Sequence, residues 1–108
     1  MAAVIVKDGC VLVRGRAATS SWPLAQVIWL QASGRQTRLH TAGGAEVVGV
    51  ALASFAHRLP RDRFLRISRS IIVNRRHVKS ASPGVRGKLQ LVMSDGTKLA
   101  GIEKMIAA

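Results

Sequence analysis

The sequence predicts a mainly β fold, with many short strands joined by tight hairpins and one short helix near the middle. Three observations carry that expectation. Apolar residues alternate in short runs, such as Val4 with Val6, Val11 with Val13, and Leu89, Leu91 and Met93, as side chains do on a half-buried strand. Turn-forming pairs separate the runs at Asp8-Gly9, Ser33-Gly34, Gly43-Gly44 and Asp95-Gly96, where glycine accepts the backbone that a tight hairpin needs. Helical spacing occurs in one stretch, Leu52, Phe55 and Leu59, which Pro60 ends.

Taken in order, residues Ala3 to Arg14 read as a strand pair around Asp8-Gly9, and Gly15 to Pro23 as a turn-rich loop in which Trp22 caps the core. Val27 to Ala32 is the next strand, with Ile28, Leu30 and Ala32 as its expected inward face. After the Ser33 to Gln36 turn, Thr37 to Thr41 returns, and Gly43-Gly44 leads into Val47 to Val50. The helix from Leu52 lacks a good N-cap residue. Further on, Ser80 to Gly84 is expected as loop, Leu89 to Met93 and the segment from Leu99 as a final hairpin, and Ile102 to Ala108 as a helical turn or a frayed end.

The stretch from Arg58 to Lys79 is the most informative. It holds eight of the chain's seventeen Lys and Arg residues, yet Phe64, Leu65, Ile67, Ile71, Ile72 and Val73 run through it. In one unbroken strand Leu65, Ile67, Arg69, Ile71 and Val73 would share a face. That would bury an unpaired guanidinium, which is strongly unfavourable. A break at Ser68-Arg69-Ser70 is therefore expected, turning Arg69 outward on a short exposed segment between two core strands. Asn74 reads as a strand-end cap.

Charge narrows the function classes. At 108 residues the chain is long enough for one modest core, and a single domain spanning 1–108 is expected. The formal net charge is +12, with twelve Arg against five Lys, and guanidinium forks suit phosphate and guanine edges. A polyanion partner follows, with nucleic acid the leading candidate. No apolar run approaches a membrane span. One cysteine, Cys10, makes neither an internal disulfide nor a metal site, so a reducing cytoplasm is the expected setting. The five carboxylates are dispersed, and His40, His57 and His77 lack metal-ligand spacing and read as surface or half-buried strand residues. No phosphate-cradling glycine loop followed by Lys-Ser/Thr is present. Neither an enzyme nor a cofactor or metal is expected.

The run Phe64-x-Arg66-Ile67-Ser68-Arg69-Ser70-x-Ile72-Val73-Asn74 resembles the signature of LytTR-type DNA-binding domains, written F-x-R-[VI]-H-R-S-x-[IL]-V-N. The strand Val27 to Ala32, the return Arg38 to Thr41, the helix Leu52 to Leu59 and the hairpin Asp95-Gly96-Thr97-x-Leu99 agree in order, so the resemblance covers about residues 4 to 106. It implies an elongated arrangement of antiparallel β-sheets in a bacterial transcription regulator. It also implies loops placed in successive major grooves of double-stranded DNA, often by two copies on promoter direct repeats. A homodimer on DNA and an upstream receiver or sensor domain are further implied partners. Three loops carry the base contacts in this family. Here they become Arg35, Gln36, Thr37 and Arg38; Ser68, Arg69 and Ser70; and Glu103 with Lys104. Two departures stand out: Ser68 replaces the usual His, and Ile102-Glu103 stands where Ser-Arg is usual.

The expected division of labour assigns base edges to Arg35, Gln36, Arg38, Ser68, Arg69 and Lys104, and phosphates to Arg66, Ser70, Arg75, Arg76, Lys79, Arg86 and Lys88. Two readings from other classes stand beside it: a basic β-module that binds RNA, and a protein-interaction module of a regulator. The first would use exposed aromatics to stack bases, yet the chain has only Trp22, Trp29, Phe55 and Phe64.

Overall fold

The computed structural model describes residues 3–15 and 18–102. Among these residues eleven strands form three antiparallel sheets and one α-helix packs against them, in a body of 44 × 23 × 22 Å. The elongated, mainly β expectation holds.

The first sheet has the order β1-β2-β3. Strands β1 (Ala3–Lys7) and β2 (Cys10–Arg14) close through Asp8 and Gly9, whose φ angles of 54° and 73° are those of a two-residue hairpin turn. The loop expected over Gly15 to Pro23 is corrected in its second half: Thr19–Pro23 is strand β3, with Trp22 opposite Val11. Its Ser-rich sequence has weak strand propensity. What selects the conformation is the open edge of β2 and the half-buried Trp22, which packs against the core. A 3-10 turn, Leu24–Gln26, follows.

The central sheet has the order β6-β5-β4-β8-β7. Its strands are β4 (Val27–Ser33), β5 (Gln36–Thr41), β6 (Gly44–Val48), β7 (Phe64–Ser68) and β8 (Ile71–Asn74). The break expected at Ser68 to Ser70 is present, and Arg69 is exposed there. Helix α1 (Leu52–Arg58) crosses from β6 to β7 without a side-chain N-cap and buries Leu52 and Phe55.

Both faces of this sheet are covered. On one face, Leu30, Leu39, Phe64 and Ile72 pack with Leu52 and Phe55 of α1 and with Val4, Val11 and Val13 of the first sheet. On the other, Ile28, Trp29, Ile67 and Val73 pack with Leu91, Met93 and Leu99 of the third sheet. The single inward face expected for Ile28, Leu30 and Ala32 is therefore wrong. Leu30 and Ala32 belong to the first core and Ile28 to the second, because the register shifts between Val27 and Trp29. A strand buried on both sides loses the alternation that would have revealed this.

The third sheet contains β9 (Val78–Pro83), β10 (Lys88–Met93) and β11 (Lys98–Ile102), with β10 in the middle. Strand β9 corrects the loop expected at Ser80 to Gly84. Its residues are largely exposed, so backbone pairing with β10, not apolar burial, makes it a strand. Ile102 ends β11, and the remainder of the segment expected as a helical turn lies outside the described residues.

Candidate nucleic-acid interface

Two turns meet at one end of the central sheet. The β4–β5 hairpin tip turns at Gly34 (φ 62°) and presents Arg35 and Gln36, both exposed. Beside it lies the β7–β8 turn, joined to β4 by the hydrogen bond that Ala32 N donates to Ser70 O at 2.8 Å. Register places Val47, Arg38, Gln31, Ile71 and Ser68 on one transverse row. At ~4.8 Å per strand step, Arg38 and Ser68 are about 14 Å apart along the row. Thr37, which the resemblance carries into the tip, faces inward instead. It is buried, and its hydroxyl donates to Val50 O at 2.6 Å.

The Ser68 to Ser70 turn is held from several directions. Ser70 N donates to Ser68 Oγ at 3.2 Å. Arg66 donates from Nε to Ser68 O at 3.2 Å and from Nη2 to Arg69 O at 2.8 Å. Arg66 was expected on phosphate; its guanidinium is engaged in shaping the turn, and its side chain is half-buried. Arg69 itself is exposed.

Behind Arg38, the rings of His40 and Trp29 stack with centroids 3.9 Å apart and planes within 1°. His40 Nε2 lies 3.3 Å from Gln31 Oε1. Burial lowers the imidazole below its ordinary pKa, Arg38 lowers it further, and Asp95 opposes both. Gln31 escaped sequence reasoning. The available signal was a glutamine between Leu30 and Ala32 in an otherwise apolar strand.

Arg75, Arg76 and Lys79 are exposed at the far end of β8. Arg75 follows Ser70 by five residues, about 16 Å at strand rise. Asn74 anchors that end: it is buried, donates to Leu24 O (3.1 Å) and Val27 O (2.9 Å), and accepts from Arg76 N (3.1 Å). The cap expected of Asn74 is observed. His77 is not in a strand, as expected, but in the 3-10 turn Arg75–His77, where its Nε2 donates to Ala25 O at 2.6 Å and its Nδ1 pairs with Ser94 Oγ at 2.7 Å. His57 is exposed on α1. Arg86 (φ 59°) and Lys88 are exposed where β9 turns into β10. Glu103 and Lys104 lie outside the described residues.

Among the described residues no cluster of three or more His, Cys, Asp or Glu is placed to hold a metal, and no helix is long and apolar enough to cross a membrane. The structure thus gathers Arg35, Gln36, Arg38, Ser68, Arg69 and Ser70 at one end and leaves Arg75, Arg76 and Lys79 at the other.

Comparison with known proteins bears on the fold and the family of the chain. A solved structure described as the LytTr DNA-binding domain of a putative methyl-accepting/DNA response regulator from Bacillus cereus superposes with a TM-score of 0.79, covering 94% of this chain and 93% of that one at 24% identity, which speaks for the fold. The CO-responsive transcriptional regulator RcoM of Rhodospirillum rubrum is 44% identical over 72 residues, 67% of this chain. The match spans only 30% of that regulator's length. The family model of the LytTr DNA-binding domain matches residues 18–101. With most of its length inside that match, the chain belongs to the LytTr DNA-binding domain family.

Proposed function

We propose that this chain binds double-stranded DNA in a sequence-specific manner, in the service of transcription regulation, by placing the β4–β5 tip and the β7–β8 turn in the major groove. The observation that carries this reading is the grouping of exposed Arg35, Gln36, Arg38 and Arg69 at one end of a stiff sheet. Exposed arginine forks are suited to guanine edges. Arg76, Lys79, Arg86 and Lys88, spread along the body, serve as phosphate contacts that give affinity without sequence information. The 44 Å length of the molecule corresponds to about thirteen base pairs at 3.4 Å rise, enough to follow one face of the duplex through more than a turn.

Binding to promoter direct repeats as two copies, an upstream receiver or sensor domain, and action in the cytoplasm belong to the same reading. The partial span of RcoM supports a role as the output part of a larger regulator. RNA binding is less well supported: Trp29, Phe55 and Phe64 are buried and Trp22 is half-buried against the core, so no aromatic stacking platform is exposed.

The test is competition binding, with a duplex selected from a random library against a scrambled duplex and single-stranded RNA. Arg69→Ala should cut the preference for the selected duplex by ~1–3 kcal/mol. Arg76→Ala should weaken both duplexes alike and reduce the salt slope by about 1. Identical behaviour of the two variants, or preference for RNA, would overturn the reading.

A further inference from the structure

A cleft of about 410 Å³ opens between α1 and the edge strand β7, on the face of the central sheet opposite Arg38. Leu59 and Phe64 contribute to its floor, and His57, Arg61, Arg66 and Arg75 to its rim. Among the described residues neither Asp nor Glu lines it. Three arginines around one recess repel one another unless an anion joins them, and the His57 ring adds a further hydrogen-bonding group. The volume is that of a small-molecule site. Ala56, Leu59, Phe64, Leu65 and Ile72 give it an apolar side beside the arginines.

Arg66 connects this cleft to the turn. Its cross-strand partner is Ile72, a residue of the α1-side core, and its Nε and Nη2 hold Ser68 O and Arg69 O. An anion drawn to Arg66 competes for the donors that shape the turn. A duplex lying across the Arg38 face at that end of the sheet would leave the cleft free, because α1 packs on the opposite face.

We propose that the cleft between α1 and β7 binds a small organic anion, anionic oxygens on a compact apolar group, and that its occupancy acts on the Ser68 to Ser70 turn through Arg66. The binding half stands alone; the coupling half rests on the DNA-reading role proposed above.

The experiment is an amide-resolved NMR titration of the 108-residue chain with phenyl phosphate, benzoate and inorganic phosphate, repeated on Arg61→Ala. Saturable shifts at residues 56–75 are expected with phenyl phosphate or benzoate, about tenfold tighter than with inorganic phosphate and about tenfold weaker in Arg61→Ala. An intact dispersed spectrum for the variant shows that it is folded. Absence of saturable shifts, equal binding of inorganic phosphate, or an unchanged affinity in Arg61→Ala would overturn the site. A second arm measures the ratio of affinities for selected and scrambled duplex with and without the organic anion that binds. That ratio should change in the wild type and stay constant in Arg61→Ala. An unchanged wild-type ratio overturns the coupling while the NMR arm still decides the site. Lack of any duplex preference in either condition defeats the DNA-reading proposal, and the coupling with it.

Discussion

At the scale of single residues, side chains that hold backbone are as telling as those that reach outward. Asn74 satisfies two carbonyls and one amide while fully buried. Asn74→Ala leaves those groups without partners or water, so urea denaturation should register a loss of about 3 kcal/mol. His40 makes a different prediction. Its folded pKa lies below its ordinary 6.5, chiefly through burial. The unfolded chain therefore binds more protons as pH falls through that value, and stability present above it is lost below it. His40→Phe, which keeps a ring on Trp29, should show a smaller fall in melting temperature than the wild type between about pH 7.5 and 5.5. An equal fall would remove His40 from the account.

At the scale of elements, the β7–β8 turn is a small rigid object. Arg66 spans it, Ser68 closes it and Ala32 ties it to the neighbouring hairpin. Arg66→Ala removes two hydrogen bonds to the turn without touching the Arg69 side chain. The expected outcome is faster hydrogen exchange at the Ser70 amide together with loss of duplex preference, while the melting temperature changes little. Preference retained with a loosened turn would mean that Arg69 reads without support. The organising break at Ser68 to Ser70 was legible in the sequence because an arginine fell on a core register. Strands β3 and β9 were not, since both are Ser-containing, mostly exposed and defined by a neighbour's free edge.

At the scale of the whole molecule, charge has opposite effects on folding and binding. A net charge of +12 on 108 residues repels itself in the compact state. Added salt screens that repulsion, so the melting temperature should rise from low to physiological ionic strength. Duplex affinity should fall over the same range. If Arg76, Lys79, Arg86 and Lys88 each displace one counterion, the slope of log affinity against log salt would be about −3.6. Thermal melts and fluorescence anisotropy across one salt series check both signs, and parallel trends would contradict the picture.

The amino-acid sequence by itself determined the mainly β class, most of the hairpin turns, helix α1 and the outward placing of Arg69. Those features depend on local alternation, glycine turns and the penalty for burying a lone charge. Tertiary structure decided which face of β4 met which core, why Thr37 points inward and why Arg66 bends back onto its own turn. The first two depend on partners distant in sequence, a second sheet over Ile28 and Trp29 and the carbonyl of Val50; Arg66 instead folds back onto carbonyls two and three residues ahead, which the β7–β8 turn brings within its reach. A chain read one residue at a time shows its charges, but only the pairing of β4 with β5 and β8 brings Arg35, Arg38 and Arg69 to one end of the central sheet.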